Sequence, residues 1–397
     1  MKILRVTSLG YVGGGLETGI ELLRPVLAEM GHEVRILTSD HNPSVPHWSD
    51  YEFPALSSVP FPLRMFYRAW YPAAYRKLRE VIEEYQPDVV QFHSFFELSP
   101  SVLFAVRDVP AVVTVHGAED FTKELLLWAF PTRLFHGGKP FTRAGLTMRG
   151  WLHYLYHRCI SMPLFRKGFQ NVERVVVFSE YMRRMLARDG IKSVCVPNAT
   201  ALLPEAPLPE GNTLLFVGRL EKIKGVQVLL DALPNVRKEH PDAQLMIAGS
   251  GPYEPVLREQ VKLLQLEGAV TFVGQVGRGQ LEQLYQAATV VAVPSLWPEP
   301  FGKVGIEAMS VGRPAVASDV GGMSEWLTDG ETGYLVKRGS PSELGEALCR
   351  VLRDRTRLHE MGRAARRRAE DFSIEAHAQK IVGVYEDARG ECSVRSS

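Results

Sequence analysis

Short apolar runs alternate with helix-length amphipathic segments along the whole chain. Most of the runs are continuously apolar, which is typical of parallel strands covered on both faces. A repeated order of strand, helix and strand predicts βαβ units and parallel sheets. The predicted strands are 3–8, 33–39, 88–94, 111–117, 174–179, 193–198, 213–218, 243–249, 269–274, 289–295, 314–318 and 332–336.

One proline-rich segment without apolar periodicity, residues 198–212, interrupts this alternation and is interpreted as a linker. About six predicted strands lie on each side of it, which is enough for one doubly wound sheet in each half. The sequence therefore predicts an α/β protein with two Rossmann-like domains, 1–200 and 201–372, facing each other across a cleft. The tail, 373–397, is predicted to be helical again.

Composition narrows the class of protein. The 397 residues are 45% hydrophobic and 23% charged, as in soluble globular proteins. The formal charge of +1 disfavours a nucleic-acid partner. The four cysteines are widely separated, which argues against a disulfide framework or a zinc site. Because Arg5 interrupts the first apolar run and no run reaches the roughly 18 residues of a membrane span, we expect a cytoplasmic protein.

The most informative segment is PSLWPEPFGKVGIEAMSVGRPAVAS, which predicts a strand, a loop and a helix. The helix is expected to begin near Phe301, just after Pro300. Glu299 then lies on the loop at the helix N-terminus, and Glu307 faces inward about two turns later. Free N–H groups at such a terminus favour an anion or a hydroxyl-rich ligand, and Gly302 permits a close approach of the backbone.

A second motif, FVGRLEKIKGVQVLLDAL, places two cations around a strand-to-helix loop. The strand ends at Gly218, and the helix is expected to start near Gly225. Arg219 and Lys224 flank the loop between them. Two cations and a helix N-terminus at one point suit a diphosphate. Two solvated surface cations are the alternative, which the accompanying glutamate motif makes less favourable.

The turn after the first strand is rich in glycine. Its spacing, GYVGGG, does not match the G-x-G-x-x-G fingerprint of dinucleotide-binding proteins, so a nicotinamide oxidoreductase is the weakest hypothesis. Gly14 and Gly15 would let the backbone approach a phosphate or an acceptor. A tight turn between strand and helix is the other interpretation.

His116 lies at the carboxyl end of the predicted strand AVVTVHG, and Glu119 and Asp120 follow shortly after it. A histidine at the carboxyl end of a buried strand faces the predicted cleft, where it can exchange hydrogen bonds with a sugar hydroxyl. A purely structural histidine is the alternative. For Glu119 and Asp120 the two interpretations are evenly balanced.

Aromatic and basic residues are interleaved between residues 121 and 170. This mixture suits an anionic membrane surface or a lipid-linked acceptor. Internal packing of the aromatic residues, with solvated cations, explains the same pattern equally well. Peripheral contact with the inner face of a membrane is therefore one of two open hypotheses for this segment, and the oligomeric state is not predicted.

These motifs resemble those of the retaining GT-B glycosyltransferases of family 4, with E-P-F-G-x-V-x-x-E as the most specific part. The resemblance implies a GT-B fold whose last helix, in 373–397, packs back on the first domain. It also implies transfer of a sugar from a nucleotide diphosphate, most commonly UDP, to an acceptor hydroxyl. The acceptor is left open among a glycolipid, a polysaccharide precursor and a small metabolite.

The resemblance assigns roles to the residues of the second domain. Glu299 would contact the donor sugar within the loop formed with Pro300, Phe301 and Gly302, and Glu307 would hold the ribose. The diphosphate would be held by Arg219 and Lys224.

In the first domain, His116 would contact the sugar near its reacting face, and Gly14 and Gly15 would lie beside the phosphates or the acceptor. The chain has no D-x-D motif, so neither a metal nor another cofactor is expected, and cations would stabilise the leaving group. The rival hypotheses are a nucleotide-sugar epimerase or hydrolase and a non-catalytic nucleotide-sugar-binding subunit.

Overall fold

A computed structural model of the protein describes residues 1–11, 15–95, 97–117 and 155–395. The chain divides into two compact units, Met1–Val196 with His377–Ser397, and Pro197–Ala376. Several predictions lie outside the described residues, namely those on Gly14, on Glu119 and Asp120, and on the part 121–154 of the aromatic and basic segment.

The described part of the first unit contains a seven-stranded parallel sheet in the order β3-β2-β1-β4-β5-β6-β7. Its strands are β1 (Lys2–Val6), β2 (Glu33–Ser39), β3 (Tyr51–Phe53), β4 (Val89–Phe92), β5 (Ala111–Val115), β6 (Arg174–Val177) and β7 (Val194–Cys195). Its helices before the linker are α1 (Gly15–Glu29), α2 (Phe61–Tyr67), α3 (Pro72–Tyr85), α4 (Met162–Gly168) and α5 (Glu180–Arg188).

The second unit contains a six-stranded parallel sheet in the order β10-β9-β8-β11-β12-β13. Its strands are β8 (Thr213–Val217), β9 (Gln244–Ala248), β10 (Val270–Gly274), β11 (Val290–Val293), β12 (Ala315–Ser318) and β13 (Gly333–Val336). Its helices are α6 (Val226–Glu239), α7 (Glu254–Leu263), α8 (Arg278–Ala287), α9 (Lys303–Ser310), α10 (Pro341–Arg353) and α11 (Arg355–Glu370).

Both sheets are doubly wound, as the apolar runs predict, and the α/β fold class is confirmed. The strand order reverses between β1 and β4 in the first unit and between β8 and β11 in the second. Ligands of open parallel sheets bind beyond the carboxyl ends of the strands at such a reversal. The loops after β8 and β11 carry Arg219, Lys224 and Glu299, and those after β4 and β5 carry His93 and His116.

The sequence analysis missed the edge strand β3, which pairs with β2 over three residues only. Its sequence, Tyr-Glu-Phe, is too short and too polar to give an apolar run. The last helix, α12 (Ile374–Arg395), continues into the first unit, where Tyr385 is fully buried and donates to Oε1 of Gln91. No helix of the described residues is both long and apolar enough to cross a bilayer.

Gly225 allows the loop that carries Lys224 to lie against the end of β11. Its φ is +76°, and a Cβ atom there would lie 1.8 Å from the carbonyl oxygen of Pro294. We expect Gly225→Ala to lower the free energy of unfolding by about 3 kcal/mol, because strain and overlap add. Urea denaturation measures this loss. Gly279→Ala is the control, since no atom lies within 4 Å of a Cβ atom at that position. Equal stability of the two variants would contradict the prediction.

Candidate functional site

Lys224 and Glu299, predicted from two separate motifs, are in direct contact. Lys224 Nζ donates to Glu299 Oε1 at 2.6 Å, and the hydroxyl of Ser295 donates to the same oxygen at 2.8 Å. Both charged side chains are largely removed from solvent. The two loops at the strand reversal of the second sheet are thereby joined by one ion pair.

The backbone of Glu299 is held by a glycine pair that the sequence analysis did not single out. The N–H of Gly322 donates to the carbonyl of Glu299 at 2.9 Å. Gly321 has a φ of +61°, and a Cβ atom there would lie 2.1 Å from the same carbonyl oxygen. The signal was present in the sequence, because a Gly-Gly pair follows closely after the predicted strand 314–318.

The helix after Glu299 begins at Lys303, two residues later than the expected start at Phe301. The physical reason is Gly302, which precedes the helix with a left-handed φ of +91°. Phe301 is buried, and its carbonyl accepts a hydrogen bond from Nε1 of Trp326 at 2.6 Å. The first N–H groups of the helix therefore belong to Lys303 and Val304 rather than to Phe301.

Trp326 is a further residue that the sequence analysis missed. It is fully buried and packs against the first turn of α9, where a Cβ atom added at Gly305 would lie 2.1 Å from its Cη2 atom. Met323 lies close to Gly302, with its sulfur 2.6 Å from a Cβ atom added there. The indole thus fixes both the Phe301 carbonyl and the start of the helix.

Glu307 lies on α9 between two groups of low exposure. Its Oε2 accepts from the hydroxyl of Tyr285 at 2.8 Å, and its Oε1 lies 3.9 Å from Nζ of Lys303. Burial, with Glu307 nearby, raises the pKa of Tyr285 well above its ordinary value, so this phenol stays a donor. Burial lowers the pKa of Lys303, and Glu307 opposes that effect. The carboxylate is therefore held in one orientation.

Arg219 follows β8 but does not join the Lys224–Glu299 pair. Its side chain is 72% exposed, and its Nη1 donates to Oε1 of Glu221 at 2.7 Å. An exposed ion pair of this kind contributes little to stability and exchanges partners readily. The structure brings Lys224 and Glu299 together and leaves Arg219 at the rim.

In the first unit, Gly15 is the first residue of α1, and His116 directly follows β5. The Nε2 atom of His116 lies 3.1 Å from Nδ1 of His93, and its ring packs edge-on against Phe178 with centroids 4.8 Å apart. His93 in turn contacts the buried Arg5. The sequence analysis did not identify His93 or Arg5 as functional residues.

A third cluster joins Glu239, His240 and Cys349, whose potential ligand atoms lie within 4.8 Å of one another. Glu239 already accepts from the guanidinium of Arg353 at 2.8 Å. Burial, reinforced by Glu239, raises the pKa of the Cys349 thiol to about 11. A protonated thiol and an engaged carboxylate are poor metal ligands, so we assign no ligand to this cluster.

Comparisons with known proteins identify the family of the chain. The profile of Glycosyltransferase Family 4 matches residues 13–201, and that of Glycosyl transferases group 1 matches residues 204–368. The phosphatidyl-myo-inositol mannosyltransferase of Mycolicibacterium smegmatis is 32% identical over 394 residues, which cover 96% of this chain and 92% of the relative.

Solved structures show the same fold at lower identity. Sucrose-phosphate synthase from Thermosynechococcus elongatus gives a TM-score of 0.75 at 24% identity, over 97% of this chain and 98% of that one. The Anabaena HepE protein in complex with UDP-glucose gives a TM-score of 0.68 at 18% identity, over 97% and 99% of the two chains.

Two parallel-sheet α/β units with this likeness define a GT-B protein, as the sequence analysis predicted. The chain belongs to the glycosyl transferases group 1 family and is a glycosyltransferase. The predicted family is therefore confirmed.

The contribution of the hydrogen bond from Tyr285 to Glu307 can be measured as protein stability, with no substrate added. We expect Tyr285→Phe to lower the free energy of unfolding by about 1–3 kcal/mol, because a half-buried carboxylate loses its donor. The control is Tyr253→Phe, since Tyr253 lies in the same unit and makes no side-chain hydrogen bond among the described residues. Urea denaturation compares the two variants. An equal change in both would contradict a structural role for the Tyr285 hydroxyl.

Proposed function

We propose that this glycosyltransferase moves a sugar from a nucleoside diphosphate sugar, a UDP-sugar in the first instance, to an acceptor hydroxyl. The configuration at the anomeric carbon is retained, and no metal takes part. The contact between Lys224 and Glu299 is the observation that carries the proposal. It joins a cation and a sugar-binding carboxylate at the strand reversal where open parallel sheets bind ligands.

Lys224 supplies the charge that the leaving diphosphate needs. It immediately precedes Gly225 and the 14-residue helix α6, whose N-terminus carries about half a positive charge. Cleavage of the sugar–phosphate bond places further negative charge on the diphosphate, and cations already in position stabilise that charge best. Arg219 joins them by exchanging its exposed contact with Glu221 for a phosphate oxygen.

Glu299 is oriented to accept from the sugar. Lys224 and Ser295 both donate to its Oε1 atom, which leaves Oε2 for a sugar hydroxyl. On α9, Glu307 is oriented by Tyr285 and Lys303 to accept from the two ribose hydroxyls. Pro300, Phe301 and Gly302 form the backbone between these two carboxylates, and the buried Trp326 keeps it rigid.

The first unit provides His116, which donates to a hydroxyl of the transferred sugar, and Gly15 at the start of α1, which lies beside the phosphates or the acceptor. No carboxylate is assigned as a covalent nucleophile. The acceptor hydroxyl therefore attacks from the face that the diphosphate leaves, and its proton passes to a phosphate oxygen. Proton NMR of the product anomer tests retention directly. The UDP-glucose complex of HepE, which has the same fold, supports a UDP-sugar as donor.

A lipid-linked acceptor at a membrane surface is the second part of the proposal. The mannosyltransferase relative is named for a phosphatidylinositol acceptor. On and after α2, Phe66 is 74% exposed, Trp70 and Leu63 are also exposed, and Arg68 lies among them. Ile160, in the described part of the aromatic and basic segment 121–170, is a further exposed apolar residue. Exposed apolar side chains beside cations suit an anionic bilayer.

We expect Lys224→Ala to reduce sugar transfer by about 10²–10³-fold, because one preorganised positive charge is lost. A thermal-shift panel of UDP- and GDP-sugars first identifies the donor, since a bound ligand raises the melting temperature by mass action. Product formation from that donor is then compared between the Lys224→Ala variant, a control variant and the parent protein.

The matched control is Lys222→Ala, which removes an exposed lysine two residues away in the same turn. Near-normal transfer by a folded Lys224→Ala variant would contradict the proposal. Sugar release that does not depend on an acceptor would identify a hydrolase, and donor binding without turnover would identify a binding subunit.

We expect the double variant Phe66→Ser, Trp70→Ser to bind anionic liposomes at least about fivefold more weakly than the parent, because each large apolar side chain that enters the interface contributes about 1 kcal/mol or more. Sedimentation with phosphatidylglycerol vesicles at low salt measures the bound fraction. The control is Leu263→Ser, which changes an equally exposed apolar side chain in the second unit. Absence of binding by the parent would contradict membrane contact.

A further inference from the structure

A row of polar side chains runs through the interior of the first sheet. Arg5 on β1 pairs in register with Gln91 on β4, and His93 lies two residues after Gln91. Thr114 and His116 follow the same alternation on β5, and Gln91 donates to the Thr114 hydroxyl at 2.8 Å. Successive residues of a strand point to opposite faces, so these five residues share one face of the sheet.

Arg5 is fully buried and donates only to neutral acceptors in the contacts that the structure gives. Its Nη1 donates to the carbonyl of Ile20, its Nε donates to Oε1 of Gln91, both at 3.2 Å, and its Nη2 lies 2.9 Å from Nε2 of His93. A guanidinium has five N–H donors and no acceptor. His93 Nε2 must therefore accept, and it carries no proton.

The position of the ring proton on His93 determines the position of the ring proton on His116. A neutral imidazole that accepts at Nε2 carries its proton on Nδ1. His93 Nδ1 lies 3.1 Å from Nε2 of His116, so His93 donates and His116 accepts. Nε2 of His116 is then unprotonated as well, and its proton lies on Nδ1. A His116 imidazolium would bring two N–H groups face to face across this contact.

We propose that Arg5 and His93 are positioning residues that hold His116 as the neutral tautomer protonated on Nδ1. The inference rests on the proposed function, in which His116 contacts the transferred sugar. In that tautomer His116 carries its proton on Nδ1 and bears no positive charge. The anomeric carbon becomes positively charged as the diphosphate leaves, so an imidazolium beside it would raise the barrier.

The surroundings of His93 favour its neutral form. Burial lowers the pKa of His93 well below its ordinary value, and Arg5, His116 and His377 on α12 lower it further. Tyr385 of the same helix closes the row by donating to Gln91, and burial raises the pKa of its phenol to about 12. His93 is thus neutral at neutral pH, as the chain of donors requires.

Nitrogen-15 NMR of histidine-labelled protein without ligand tests the inference directly. Two-bond correlations between ring carbon-bound protons and nitrogens distinguish a protonated from an unprotonated ring nitrogen, and His116→Gln and His93→Gln spectra assign the signals. We expect both histidines of the parent protein to be unprotonated at Nε2 at neutral pH. A protonated Nε2 or an imidazolium at His116 would overturn the proposal, whether or not any variant of this row folds.

Two variants of His93 that match each other in shape then separate the effect of its N–H donor from the effect of losing the imidazole ring. His93→Asn retains a side-chain N–H at the position of Nδ1, where it can donate to His116. His93→Asp has the same shape as that variant and offers His116 only an acceptor. We expect His93→Asp to move the proton of His116 to Nε2 and His93→Asn to leave it on Nδ1. An unchanged His116 tautomer in a folded His93→Asp protein would overturn the proposal.

Turnover completes the test. For the donor identified by thermal shift, we expect His93→Asp to lower kcat at least about tenfold relative to His93→Asn, with the same dissociation constant for the nucleoside diphosphate of that donor in both. Equal kcat values with the predicted tautomers would overturn the positioning role. Failure of the parent to bind either UDP or GDP in calorimetry would instead contradict the proposed function, and it would leave the NMR result unaffected.

Discussion

The ion pair between Lys224 and Glu299 is the interaction on which the site of the second unit depends. In the protein alone each charge satisfies the other at 2.6 Å, so neither is left unpaired while largely removed from water. Because a lysine ammonium has three donors, Lys224 can hold a phosphate oxygen without releasing Glu299. The pair therefore satisfies both charges and, in the proposed function, leaves donors of Lys224 for a phosphate oxygen.

Close approach of backbone segments makes this pair possible. Gly225 brings the Lys224 loop onto the carbonyl of Pro294, and Gly321 brings a second loop onto the carbonyl of Glu299. The first contact fixes the chain at Pro294, before Glu299, and the second fixes the backbone of Glu299 itself. Trp326 then fixes the following turn through the Phe301 carbonyl. The charged groups are thus oriented by backbone packing, which costs no reorganisation when charge develops.

Much of this arrangement follows from the sequence. Continuous apolar runs predicted both parallel sheets, and the spacing of Glu299 and Glu307 placed both on one loop and helix. The start of α9 was misplaced by two residues, because the φ of Gly302 depends on Met323 and Trp326, which are distant in sequence. The hydrogen bond from Tyr285 to Glu307 and the buried Arg5–His93 contact depend on tertiary packing in the same way. Local pattern carries no information about such partners.

The two units treat charge in opposite ways, and the proposed chemistry explains the difference. The second unit keeps its cations in ion pairs with carboxylates and leaves Arg219 exposed at the rim, as the proposed binding of a diphosphate requires. The first unit buries Arg5 among neutral acceptors. Its contact with His93 determines the proton position on His93, and the contact between His93 and His116 determines that on His116. Departure of a diphosphate from a sugar leaves negative charge on one fragment and positive charge on the other. Cations suit the first fragment, and a neutral donor at His116 suits the second, because an imidazolium there would oppose the positive charge at the anomeric carbon.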